Sequence, residues 1–183
     1  QSAWETLSLN LIFQPQVWVL KRELLRIPIF GWGLTMLEPI AINRGAKVSS
    51  VEQVLTQGRA RLESGCWVVI FPEGTRVAAG TRRRYQLGGA KLAERTGYPI
   101  VPVAHNAGDF WARNSVIKRP GRIKLIIGPV IESEGKSAAE LNALVEMWIE
   151  ATVAEIRAQD GRKELPTPAR GASQDATLRQ ELK

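Results

Sequence analysis

A single cysteine and a single histidine are all that this 183-residue chain holds of the two side chains most used to bind transition metals. One cysteine, Cys66, excludes an intramolecular disulfide framework and fits a reducing compartment. It sits in an apolar stretch and reads as a small core residue. No grouping of His, Cys and carboxylates shows metal-ligand spacing, so no metal is expected in the protein framework. Also missing is any run approaching the ~18 consecutive apolar residues that a membrane-spanning helix needs, so this sequence is not expected to cross a bilayer. There is no internal repeat, and no zinc-knuckle, helix-turn-helix or aromatic RNA-binding signature.

What is present can build a core. An apolar share of 44% over 183 residues suits one domain of ordinary size. The formal net charge of +7 and pI near 10.0 imply an acidic partner. Nucleic acid, anionic lipid and acidic carrier proteins all answer to a basic surface, and without a nucleic-acid motif the first is not expected. Arg82-Arg83-Arg84-Tyr85 is the densest basic cluster. It reads either as a solvated loop or as a contact with lipid headgroups or a donor's phosphates.

Hydrophobic periodicity gives alternating helices and short strands. Residues from Ser2 to about Phe13 can form a helix, with Ser2 as N-cap, Glu5 reaching back in a capping box, and Pro15 stopping it. Val17 to Lys21 and Pro39 to Asn43 are strand-like. Leu24 to Leu34 is strongly apolar but interrupted by Pro28, Gly31 and Gly33, so it is either core or a segment that dips into a membrane surface. Ser49 and Glu52 open a helix whose Val51, Val54, Leu55, Gly58 and Leu62 share a face. Gln86 to Arg95 is a helix ended by Gly97, and Pro99 to Ala104 and Arg122 to Ile127 are strands. Ser137 to about Ala158 is the longest helix, with an apolar stripe running from Leu141 to Ile156. The expected order is β-α-β throughout, in one domain over residues 1–158. Residues 159–183 turn polar and Pro-containing and are expected to be a disordered tail.

The chemistry concentrates after one strand. Cys66 to Phe71 reads as a short interior strand bounded by Gly65 and stopped by Pro72, which has no N–H for a sheet ladder. Directly after it, Phe71-Pro72-Glu73-Gly74-Thr75-Arg76 sets an acid, a flexible glycine, a hydroxyl and a guanidinium in one turn. Such a turn can hold a phosphate ester, or it can be a plain strand-to-loop turn with one ion pair.

That sequence resembles the third signature block of the glycerolipid acyltransferases, and the chain is most similar to the bacterial 1-acylglycerol-3-phosphate acyltransferases. Ala41-Ile42-Asn43-Arg44 resembles the second block and Ile100-Val101-Pro102-Val103-Ala104-His105-Asn106 the fourth. The first block is Asn-His, four residues, then an acid. Gln1-Ser2-Ala3-Trp4-Glu5 looks like everything after the histidine, so Glu5 matches the acid and the catalytic histidine is expected just ahead of Gln1. An opening without Met agrees with an amino end trimmed at that point. The resemblance implies an α/β fold of the glycerol-3-phosphate acyltransferase type: a single domain with a central mixed β-sheet flanked by helices.

It also implies a function: transfer of a fatty acyl group from an acyl thioester to the sn-2 hydroxyl of 1-acylglycerol-3-phosphate. Glycerol-3-phosphate or a lyso-ornithine lipid as acceptor, or a phospholipid-binding module without turnover, stay open beside it. An alcohol attacking a thioester needs a positioned base, and a histidine paired with an acid meets that need. Glu5 would fix the tautomer and stabilise the imidazolium. Five residues apart on one helix, the pair would be rotated by roughly 140°, so the histidine should sit at or before the N-cap. The plain alternative is that Ser2 and Glu5 only cap a helix. Arg44 and Arg76 match phosphate with paired donors, and Lys21 is either a third cation or a solvated strand-end lysine. Glu73 would accept from a substrate hydroxyl or brace the loop, Gly74 would let the backbone approach, and Thr75 would offer a hydroxyl or N–H. Val101 and Pro102 look structural, and His105, outside the first block, is not expected to be the catalyst. No cofactor is implied. The partners are lysophosphatidate, acyl-CoA or acyl-carrier protein as donor, and a membrane surface, at the cytoplasmic face of the inner (plasma) membrane.

Overall fold

The computed structural model describes residues 4–160, apart from positions 44, 47, 76, 78, 79, 113, 114 and 116. The expected cap Ser2 and almost all of the expected tail therefore lie outside the described residues. Helix α1 spans Trp4–Ile12 and carries Glu5 in its first turn, where an acid favours the helix dipole. It ends before Pro15, and strand β1, Gln16–Lys21, follows.

β1 is the centre of a parallel sheet ordered β2-β1-β3. Its second half pairs with β2, Ile40–Ile42, in the register Val19↔Ile40 to Lys21↔Ile42. Its first half pairs with β3, Trp67–Val69, in the register Gln16↔Trp67 to Trp18↔Val69. Helix α3, Ser50–Glu63, makes the crossover between the two edge strands, capped by Ser49 Oγ, which accepts from the Glu52 N–H at 3.1 Å.

β3 is shorter than the sequence suggests because Cys66 belongs to the end of α3. The Cys66 N–H donates to the Arg61 carbonyl, which takes it out of the sheet ladder, and its side chain is half-buried rather than core. The segment from Leu24 to Leu34 also resolves differently. Arg22–Arg26 forms a 3-10 turn, and helix α2, Phe30–Met36, runs through both glycines instead of breaking at them. Gly31 is needed there, since a Cβ would stand 2.2 Å from the Leu25 carbonyl oxygen. Three apolar side chains of this segment are not core: Ile29 is 79% exposed, Trp32 69% and Met36 85%.

Helix α4, Gly88–Thr96, starts two residues later than Gln86, whose N–H donates to the Pro72 carbonyl. It ends on Gly97, whose φ of +77° suits glycine. The β-α-β order stops here. Strand β4, Val103–His105, pairs antiparallel with β5, Leu125–Ile127, after the short helix α5, Ala107–Phe110. Pro99 and Pro102 lack the N–H groups that would extend β4, and Ile100 only bridges to Ile131. β5 is short because the Lys124 N–H goes to Asn106 Oδ1, 2.8 Å away. Parallel and antiparallel ladders are thus both present, flanked by helices. Helix α6, Ala138–Gln159, closes the fold behind a full Ser137–Glu140 capping box.

Leu92 of α4 packs with Val54 and Leu55 of α3 against Val19 and Val68 of the sheet and Ile70 just beyond β3. On the other side of α4, Ala90 and Ala93 meet Ala138 and Leu141 of α6. Leu141 is fully buried, a contribution of about 1.5–3 kcal/mol from its side chain alone.

Candidate functional site

Ligands of open parallel sheets bind beyond the carboxyl ends of the strands. Here β1 ends on Lys21, and β3 runs through Ile70 into the Phe71–Gly74 turn, closed by the Gly74 N–H on the Phe71 carbonyl at 3.0 Å. Pro72 suits the second turn position. Gly74 has φ +67°, and a Cβ there would come within 3.1 Å of Gln86 Cγ, so the position needs glycine. Trp18 of β1 stacks on Phe71, 5.5 Å between centroids and 19° between planes, which fixes the root of the turn.

Two cavities meet at this turn. A cleft of about 750 Å³ carries Lys21, Glu73, Gly74, Thr75 and Arg83 among its lining and is apolar at Leu24, Leu34 and Leu37. A second cavity of about 260 Å³ runs inward between β3, β4, α4 and α6, lined by Val68, Ile100, Val145 and Ile149 among others. Glu5 and Glu73 line both. The result is a polar junction between two spaces with apolar walls.

Glu5 is 3% exposed. Its Oε1 lies 3.5 Å from Nε2 of His105 at the end of β4. Burial pushes the His105 imidazole below the ordinary histidine value, and the Glu5 carboxylate opposes that shift without reversing it. Tyr85, which precedes α4, is buried and donates its hydroxyl to Glu150 Oε1 at 3.1 Å. Its pKa is pushed well up, first by burial and then by the Glu150 charge, so it stays a donor.

The structure thus places Glu5, Lys21, Glu73, Gly74 and Thr75 in the lining of one cleft, with Glu5 and Glu73 where it meets the second cavity. Arg44 and Arg76 lie outside the described residues. The sequence left the Arg82–Arg84 cluster open between a solvated loop and a phosphate contact and could not tell its members apart: both Arg82 and Arg83 are exposed, but Arg83 lines the cleft, whereas Arg82 pairs with Glu150 at 3.2 Å. It also missed the partnership of Glu5 with His105, which no local spacing could reveal because the two come from opposite ends of the matched blocks. Among the described residues no group of three His, Cys, Asp or Glu could hold a metal ion. No helix among them is long and apolar enough to cross a membrane.

Residues 1–106 match the family model described as Acyltransferase. The chain is 44% identical over 172 residues to the 1-acyl-sn-glycerol-3-phosphate acyltransferase of Pseudomonas aeruginosa, over 92% of this chain and 67% of that protein. It is 31% identical over 126 residues to the protein of the same name from Borreliella burgdorferi, over 64% of this chain and 47% of that one. Its fold is similar to the crystal structure of the 1-acyl-sn-glycerophosphate (LPA) acyltransferase PlsC from Thermotoga maritima. That match has a TM-score of 0.63 and 24% identity over 78% of this chain and 57% of the other. The chain spans between 47% and 67% of the length of these relatives.

Proposed function

The chain belongs to the acyltransferase family, and from that membership we propose that it transfers a fatty acyl group from an acyl thioester to the sn-2 hydroxyl of 1-acylglycerol-3-phosphate, giving phosphatidate. The observation that carries this reading is the junction at Glu5 and Glu73, where a wide cleft and a narrower apolar cavity meet. A reaction between two lipid-tailed substrates needs two such spaces with their reactive ends in common.

In this reading the histidine expected ahead of Gln1 removes the acceptor's hydroxyl proton as the oxygen attacks the thioester carbonyl. The tetrahedral intermediate then collapses, the thiolate leaves, and the proton passes from the imidazolium to it. Glu5 stabilises that imidazolium and holds its orientation. The acceptor's phosphate is gripped by Arg44 and Arg76, with Lys21 and Arg83 adding charge from the cleft walls. Glu73 accepts from the glycerol hydroxyl, while Gly74 and Thr75 allow close approach of the backbone. Acyl-CoA or acyl-carrier protein supplies the thioester.

The partner surface is a membrane, reached at its cytoplasmic face. Ile27, Ile29, Trp32, Met36 and Leu37 stand exposed around α2, beside the exposed cations Lys21, Arg22 and Arg26. Apolar side chains with a tryptophan, next to three exposed cations that outnumber the exposed carboxylates Glu23 and Glu38, suit an anionic bilayer surface. The apolar end of the cleft, at Leu24, Leu34 and Leu37, opens on the same region.

The test is phosphatidate formation from an acyl thioester and lysophosphatidate by the full-length protein, compared with its Glu5→Gln variant. Turnover should fall by about 10²- to 10⁴-fold with little change in acceptor affinity. Undiminished turnover in Glu5→Gln would remove Glu5 from the chemistry. An equal fall in thermal stability and activity would make it a helix cap.

A further inference from the structure

His105 has no part in the chemistry described so far, yet its ring is held from both sides. Nδ1 accepts a hydrogen bond from the Ala107 N–H at 3.3 Å, which leaves the proton of a neutral imidazole on Nε2. That nitrogen stands 3.5 Å from Glu5 Oε1, and the two side chains are only 13% and 4% exposed. The Trp4 ring lies against the imidazole, 6.2 Å between centroids.

The backbone that carries this ring is fixed as well. Asn106, 1% exposed, donates to Asp160 Oδ2 at 2.7 Å and accepts from the Lys124 N–H at 2.8 Å. Asp109, one hydrogen-bonded turn further on, is bound by Arg157. His105 thus presents a rigid donor to an acid on a different element of the fold.

We propose that His105 is a positioning residue for Glu5, whose Oε1 it holds through Nε2–H so that the remaining oxygen faces the catalytic base. The inference rests on Glu5 acting as the acid partner of that base. A neutral imidazole suits the task better than a cation. It fixes the plane of the carboxylate without cancelling the negative charge that must stabilise the imidazolium during acyl transfer. Burial keeps His105 in that neutral form. A contact of 3.5 Å is long for a hydrogen bond, and shortening in the substrate complex is the usual behaviour of catalytic contacts.

His105 is the one histidine of residues 1–183, and in the full-length protein its nitrogen signals are those that vanish in His105→Gln under histidine labelling. NMR near neutral pH should show the Nε2–H tautomer, with its nitrogen signals moving in Glu5→Gln. An Nδ1–H tautomer, or a spectrum indifferent to Glu5→Gln, overturns the inference while leaving the acyltransferase reading intact. In the full-length protein, His105→Leu removes the donor and His105→Gln keeps one. The leucine variant should lose about ten- to a hundredfold in kcat with little change in acceptor KM, and the glutamine variant should recover most of that loss. Wild-type kcat in His105→Leu, or a change confined to KM, overturns it. If His105→Leu does not fold, the tautomer decides. Full turnover in Glu5→Gln would defeat the acid's role itself, whatever the tautomer.

Discussion

Arg157 meets Asp109 with two parallel hydrogen bonds, Nε on Oδ2 and Nη2 on Oδ1, both at 3.2 Å. The side chains are 14% and 13% exposed, so the pair is largely removed from water and ties α6 to the segment that follows His105. Arg157→Ala strands a buried carboxylate and should lower stability by about 3–5 kcal/mol. Urea unfolding would measure it. The exposed Arg59–Glu63 pair is the control: Arg59→Ala should leave the midpoint where it is.

Gly58 is the contact point between α3 and α4. A Cβ there would lie 2.7 Å from Leu92 Cδ2, so Gly58→Ala forces the leucine to move. Overpacking of about 1–3 kcal/mol opposes a helix-propensity gain of about 1, and the net change should be a loss of roughly 1 kcal/mol. Adding Leu92→Val should restore part of the loss in Gly58→Ala. Additive destabilisation by the two substitutions would show that Leu92 is not what the new methyl meets.

Arg44→Ala and Arg76→Ala should each weaken binding of a phosphate-bearing acceptor by ~1.5 to 3 kcal/mol, with a smaller effect on the donor. Arg→Lys should not restore it fully, because an ammonium lacks the paired planar donors. Calorimetric titration with lysophosphatidate on folded variants decides this. Unchanged affinity in both alanine variants would take the two arginines out of the phosphate site.

Ile29 separates stability from membrane binding. Its φ of +65° with ψ −58° is a rare, strained conformation for a β-branched residue, and its side chain is 79% exposed. Ile29→Gly should therefore raise stability by about 1 kcal/mol, relief of strain exceeding the added freedom of the unfolded chain. The same variant, and Trp32→Ala more strongly, should bind anionic vesicles less well in cosedimentation. Equal vesicle binding by both variants would detach α2 from the membrane surface.

What the sequence revealed of the fold was mostly local. Ser49 and Ser137 mark their helices correctly because an N-cap acts within one turn, and Gly97 ends α4 because only its own φ is at stake. The misjudged boundaries depend on distant partners. Cys66 looks like strand by composition, but its N–H is claimed by α3. Gln86 looks helical, but its N–H ties it back to Pro72 and the helix opens only at Gly88. Gly31 reads as a breaker only until the Leu25 carbonyl is known to lie against it.

The candidate site divides in the same way. The Phe71–Gly74 turn is legible because proline, acid and glycine specify it within a few residues. The partnership of Glu5 with His105 is not, since it exists only once the fold brings the first turn of α1 to the end of β4. Arg83 was hidden by its neighbours: three consecutive arginines look alike in sequence, and only the path of the chain assigns one to the cleft and another to Glu150.

The place of β1 at the centre of the parallel sheet shapes the protein's history on the ribosome. It is made before both strands that flank it, and its first half has no partner until Trp67–Val69 has been synthesised and α3 has carried it back. At ordinary translation rates of about 5–20 residues per second, that leaves the β3-facing edge of an apolar strand open for on the order of several seconds. Through that interval Val17 and Trp18 are a natural target for chaperones and for unwanted strand pairing between nascent chains.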